Sequence, residues 1–121
     1  MKKTGLLLIL AFLSFSLHAQ FAKTKWKTTL QLENMTEVYF DFSRDSLKVF
    51  VVADNSLLET SVYTEKAGEL SILKVNGISE CEGMTGKYKF EIRNDQMLLT
   101  LVSDPCADRA NVLDRVVLTR I

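Results

Sequence analysis

Apolar and polar residues alternate along most of the chain, in short runs separated by turn signals. The clearest example is a hairpin in the C-terminal third. There Tyr88, Phe90 and Ile92 alternate with charged residues. Asn94 and Asp95 then turn the chain, and a second alternating run follows. This period of two is typical of strands with one buried face.

Similar runs recur about every ten residues, a spacing typical of a β-sandwich or barrel. The predicted strands are 26–32, 36–43, 46–53, 57–65, 69–75, the two strands of the hairpin, and 115–121. Leu70 and Ile72 share a parity that Leu73 and Val75 break, which predicts a bulge near Ile72. Residues 76–86 have three glycines and no periodicity, and predict a loop. The stretch 104–114 predicts one short helix or two turns, because Asp104 can accept from the first free amides and Pro105 suits the first helical position.

We therefore predict an all-β protein, an eight-stranded antiparallel up-and-down barrel with a short helix before the last strand. Strand counting then places both cysteines. Connections in such a barrel alternate between its ends, and Cys81 and Cys106 fall in the fifth and seventh, which share one end. A count that differed by one strand would put them some 20 Å apart, too far for a disulfide. The eight-strand count and a Cys81–Cys106 bond thus support each other.

The first residues have the three parts of a secretory signal. Lys2 and Lys3 precede an apolar run over 6–17, and Ala19 provides a small residue for cleavage. The run falls short of the roughly 20 apolar residues that a spanning helix needs. We expect residues 1–19 to be a signal peptide, residues 20–121 to be one barrel domain, and the mature protein to be secreted or periplasmic, without a membrane span.

Charge and cysteine content agree with an exported protein. Residues 20–121 have 13 Lys and Arg residues against 15 Asp and Glu, a net charge of −2. This balance gives no general attraction for nucleic acid or anionic membranes. Two cysteines in an oxidising compartment favour a disulfide, and its loop of about 25 residues predicts ~3.5 kcal/mol of stabilisation.

Trp26 near the start of the first strand, eight short strands, and Arg120 near the end of the last resemble the lipocalin-like members of the calycin superfamily. In that family an arginine of the last strand packs across the tryptophan of the first. The resemblance implies that Trp26 and Arg120 close one end of the barrel, with Arg115 as the rival partner. The segments CEGMTGKYKFEI and LTLVSDPCADRA also resemble a cysteine-paired subgroup of small exported bacterial members. Thr24 stands where the family has a glycine.

The chain lacks the residues of several common catalytic sites. The only histidine, His18, lies in the predicted signal, so a mature chain has no Ser-His triad, Cys-His pair or histidine metal site. It also has no glycine-rich phosphate motif or serine elbow. We therefore expect a protein that is not an enzyme and needs no cofactor or metal.

Carboxylates near the cysteines are one candidate site. The predicted rim consists of Glu80, Glu82, Asp104, Asp108 and Arg109. Four acids at one rim could hold Ca²⁺ or a basic partner. The alternative is solvated loop acids and a helix cap, with Asp108 paired to Arg109. A glycosidase pair is compatible with the residue types, although nothing in the sequence places two carboxylates across a cleft.

The barrel interior is the other candidate site. Eight-stranded barrels have room for packed side chains or one small ligand, and this one is expected to be nearly full. A modest apolar pocket below the disulfide-linked loops is predicted, lined by Phe40, Phe42, Phe90 and Leu99. The leading hypothesis is binding of a small apolar ligand. The alternative is a protein-binding module, such as an inhibitor of an envelope or extracellular enzyme, that acts through the disulfide-linked loops. A cavity would favour the first and a solid core the second.

Overall fold

Eight antiparallel strands close into a barrel in chain order, in a computed structural model that describes residues 21–121. The predicted signal and His18 lie outside the described residues. The elements are β1 (Thr24–Gln31), β2 (Met35–Phe42), β3 (Ser46–Val51), β4 (Leu57–Lys66), β5 (Glu69–Gly77), β6 (Thr85–Arg93), β7 (Gln96–Ser103), helix α1 (Ala107–Leu113) and β8 (Val117–Arg120). The predicted all-β up-and-down barrel with one short helix before the last strand is confirmed.

Alternation of side chains produces the barrel core. In β1, Trp26 and Leu30 are buried while Lys25 and Lys27 are exposed, as a period of two requires. The same pattern in the other strands fills the interior with apolar side chains. Burial of this surface is the main stabilising contribution for a domain of this size.

The register of β5 differs from the prediction. Leu70, Ile72 and Lys74 all face inward, so no bulge occurs at Ile72. The shift lies near Val75 instead, where Thr60 pairs with Asn76 but Ser61 pairs with Lys74. Val75, which breaks the parity of Leu70 and Ile72 in the sequence, is 58% exposed.

The last strand is shorter than predicted. Arg115 has a φ of 64°, and β8 begins only at Val117. It forms two residue pairs with β1 and three with β7. Helix α1, which starts at Ala107 rather than at Pro105, contacts both β7 and β1. The helix therefore covers the part of the gap between β7 and β1 that the short strand β8 does not reach.

The two ends of the barrel differ. At the end opposite the disulfide, the Phe21 ring lies 4.8 Å from the rings of both Phe42 and Phe90, centroid to centroid. Tyr63 packs edge-on against Phe42 at 5.0 Å. These rings fill what we call the aromatic end, which leaves space for a site only toward the disulfide.

The aromatic end also contains the contact that the resemblance implied. Arg120 pairs with Trp26 across β8 and β1, and its guanidinium carbon lies 5.8 Å from the indole centroid. Trp26 is fully buried, and its Nε1–H donates to the Thr24 hydroxyl at 2.9 Å. Thr24 thus supplies the acceptor that the indole nitrogen needs.

Candidate functional site

The disulfide ties together two loops at one end of the barrel. Cys81, in the β5–β6 loop, is bonded to Cys106, just before α1, and their Cα atoms are 5.5 Å apart. Both residues are buried. The predicted bond is therefore confirmed, and it fixes α1 beside the β5–β6 loop at the mouth of the barrel.

A buried ion pair lies beneath this disulfide. Arg109 donates from Nε to Asp104 Oδ2 at 2.7 Å and from Nη2 to Asp104 Oδ1 at 2.8 Å. Asp104 also accepts from the Cys106 amide at 2.9 Å and from the Tyr88 hydroxyl. Two parallel hydrogen bonds of this kind fix the orientation of the guanidinium and the carboxylate, and they keep both groups charged. The pair anchors α1 to the ends of β6 and β7.

The pKa values of this network reflect its burial and hydrogen bonds. Burial raises the pKa of the Asp104 carboxyl, but hydrogen bonds from Arg109, Tyr88 and the Cys106 amide outweigh it, so the net pKa is below its ordinary value. Burial and the hydrogen bond to Asp104 raise the pKa of Tyr88. Asp104 therefore stays ionised and Tyr88 stays neutral around pH 7.

A glycine makes room for this network. A Cβ on Gly86 would lie 2.8 Å from Asp104 Cγ and 3.0 Å from Arg109 Nε, closer than packed atoms normally approach. Gly86 is therefore required where the backbone of β6 passes against the pair. The sequence predicts this glycine as the last residue of a loop, whereas it lies within β6.

A buried lysine ties the β5–β6 loop to the barrel wall. The Lys74 side chain is fully buried, and its Nζ donates to Glu82 Oε1 at 2.6 Å and to the Ser79 carbonyl. Glu59 Oε1 lies 3.9 Å from the same Nζ and accepts from the Ser79 amide and hydroxyl. Hydrogen bonding to Lys74 lowers the pKa of Glu82. The parity that Lys74 shares with Ile72 was the sequence signal for this position.

A cavity of about 630 Å³ opens at the disulfide end. Its apolar wall is formed by Leu30, Leu32, Phe40, Leu47, Val49, Leu58, Ile72, Ile78, Val112 and Leu113. Its polar lining includes Gln31, Glu33, Glu59, Ser61, Ser79, Glu80, Asp108, Arg109 and Asn111. Five strands, the β1–β2 and β5–β6 loops and α1 contribute, so the disulfide joins two of the mouth segments.

The pocket residues predicted from the sequence lie in different places. Phe40 lines the cavity. Phe42 and Phe90 belong to the aromatic end, because the Phe21 ring packs between them. Leu99 is fully buried in the core and is not part of the cavity wall. The lining of the pocket therefore differs from the predicted one. The pocket itself lies below the disulfide-linked loops, where it was predicted.

The predicted rim of four acids separates into different environments. Glu80 and Asp108 are exposed and line the cavity. Glu82 pairs with Lys74, whereas Asp104 is buried with Arg109. The predicted pairing of Asp108 with Arg109 is wrong, because the Arg109 guanidinium pairs with Asp104 instead. Within residues 21–121, no three Cys, His, Asp or Glu side chains are grouped closely enough to hold a metal ion.

Among the described residues, no helix has the length and apolar character needed to cross a membrane. Searches of protein-family models, curated proteins and solved structures gave no match to this chain.

Proposed function

We propose that this protein is an exported, non-enzymatic lipocalin-like barrel that binds one small apolar ligand in the cavity below its disulfide. The observation that supports this most is the cavity volume of about 630 Å³. Binding sites for small molecules commonly have about 300–1,000 Å³ and mostly apolar walls. Eight-stranded barrels are also wide enough to hold one such ligand.

The arrangement of the wall supports the same proposal. Phe40 and Ile72 are almost completely buried and line the cavity from opposite parts of the barrel, and Leu113 of α1 closes it on another side. Removal of apolar ligand surface from water contributes roughly 25 cal/mol per Å². A ligand of modest size could therefore bind without any strong polar contact.

The barrel topology and the Trp26–Arg120 contact support the lipocalin-like assignment. The Cys81–Cys106 bond supports a location in an oxidising compartment, either secreted or periplasmic. The signal-like sequence before residue 20 agrees with export.

Binding of a protein partner through the rim has weaker support. Ile78 is 67% exposed beside Glu80, and such a residue could contact a partner. That hypothesis, however, was expected to accompany a solid interior. A barrel that only presents loops has no need for an internal cavity of this size.

The test is a fluorescence titration with N-phenyl-1-naphthylamine, an apolar dye that brightens when it leaves water. Ser61 and Val62 are neighbours on β4 and provide a matched pair: Ser61 is buried and lines the cavity, while Val62 is 42% exposed on the outer face. We expect wild type and V62F to bind the dye alike. S61F places a ring in the cavity and should weaken binding about tenfold or more, or ~1.4 kcal/mol.

Circular dichroism and thermal melts establish that both variants are folded. The proposal fails if wild type gives no saturable signal, or if folded S61F binds the dye as tightly as V62F does. A native mass spectrum of the gently purified protein provides an independent readout, because a retained ligand adds its mass to the wild-type peak.

A further inference from the structure

The charged residues around the cavity are unevenly balanced. Four carboxylates line it, from Glu33, Glu59, Glu80 and Asp108, against one cation, Arg109. The charge of Arg109 is already neutralised by the two hydrogen bonds to a buried carboxylate beneath it. The described lining of the cavity therefore offers no free positive charge to an anionic ligand.

Three of the four acids have no partner among residues 21–121. Lys74 lies 3.9 Å from Glu59, which offsets the charge of that residue. In contrast, Glu33, Glu80 and Asp108 are exposed and form no hydrogen bond or ion pair within the described part of the chain. Since these side chains are both exposed and part of the lining, they lie where the cavity opens. The mouth thus has three unpaired negative charges above an apolar interior.

A buried donor gives an independent indication that a polar ligand atom belongs here. Arg109 is only 7% exposed and lines the cavity, yet its Nη1 has no hydrogen-bond partner in the part of the chain that the structure describes. Its other nitrogens donate to Asp104 and to the Met84 carbonyl. Buried donors are rarely left unpaired, because this costs about 1–3 kcal/mol. A neutral ligand oxygen fits better than a carboxylate, which would lie beside Asp104.

We propose that the cavity selects cationic amphiphiles: the apolar body, with a neutral oxygen at Arg109, lies along the wall, and an ammonium group lies at the mouth, which Glu33, Glu80 and Asp108 line. This inference rests on the proposed ligand-binding function and specifies the charge of the ligand. Like charges at the mouth repel a fatty-acid carboxylate, whereas they attract an amine. At physiological salt such attraction acts over about 8 Å.

The experiment compares three ligands that share a twelve-carbon chain and differ in head group: dodecylamine, dodecanol and dodecanoate. Each ligand is tested for displacement of the naphthylamine dye from the full-length mature protein at pH 7. The ligand is kept below its own critical micelle concentration. The test variant E33Q/E80Q/D108N removes the three mouth charges. The control variant D45N/E91Q/D95N removes three exposed acids that lie away from the cavity, so both variants have the same net charge.

We expect dodecylamine to bind about tenfold more tightly than dodecanoate, with dodecanol between them. This preference should disappear in E33Q/E80Q/D108N, persist in D45N/E91Q/D95N, and shrink in 1 M salt, where screening acts over about 3 Å. Equal affinities, tightest binding of dodecanoate, or a preference that survives E33Q/E80Q/D108N would overturn the inference while leaving ligand binding intact. If none of the three ligands displaces the dye, the proposed function fails as well.

Discussion

The Arg109 guanidinium holds the Asp104 carboxylate through two hydrogen bonds of 2.7 and 2.8 Å, with both side chains almost fully removed from solvent. This pair joins α1 to the barrel, and α1 forms one side of the cavity. The stability of the fold and the shape of the proposed site therefore depend on the same contact.

Loss of one partner of this pair should be costly. D104N leaves the Arg109 charge buried without a counter-charge, and we expect it to lower the free energy of unfolding by about 3–5 kcal/mol. The control is D108N, four residues along, because Asp108 is exposed and unpaired. That change should stay within about 0.5 kcal/mol of wild type in urea unfolding. Similar midpoints for the two variants would contradict the role of the pair.

The same network predicts how stability depends on pH. The pKa of Asp104 is lowered in the folded state, so its contribution is present above the unfolded value of about 3.9 and is lost as pH falls through the folded pKa. The pKa of Tyr88 is raised, so its contribution is present below about 10 and is lost as pH rises further. Thermal melts from pH 2 to 11 should show both losses of stability. The D104N substitution should reduce the loss that occurs at acid pH.

The disulfide should contribute a large share of the stability. C81S/C106S opens a loop of 25 residues, and we expect it to lower the free energy of unfolding by about 2–5 kcal/mol. Reductant should destabilise the wild type and leave the double variant unchanged. Identical melts of wild type with and without reductant would show that the bond is absent or contributes nothing.

The glycine beside the ion pair should not tolerate a side chain. G86A places a methyl group against Asp104 and Arg109, and overpacking of this kind costs about 1–3 kcal/mol. K87A changes the neighbouring exposed residue and should have little effect on urea unfolding. Equal stability of the two variants would indicate that the pair can shift without cost.

Strand count, helix position and disulfide could be predicted because each depends on local patterning or on counting. Two-residue alternation identifies a strand and its buried face without knowledge of its neighbours. The depth of a residue within the barrel cannot be read in this way. Phe40 and Phe42 share a parity and lie about 6.6 Å apart along β2, yet only Phe40 lines the cavity.

Lys74 and Phe21 show the same limit in another form. A lysine was not expected on an inward position, but Glu82 and the Ser79 carbonyl, which lie in the following loop, accept its hydrogen bonds. Phe21 precedes the first strand, and nothing local indicates that it packs with Phe42 and Phe90. Contacts outside the strand itself decide both positions: Lys74 depends on the loop that follows it, and Phe21 depends on strands far along the chain.

The most direct test of a binding site inside the barrel is methyl NMR of the mature protein titrated with N-phenyl-1-naphthylamine. Ile72 lines the cavity, whereas Ile92 lies outside its lining. We predict saturable shifts at Ile72 and Leu47, with little change at Ile92 and at the exposed Val62. Shifts confined to Val62, or no shifts at any ligand concentration, would contradict a binding site inside the barrel.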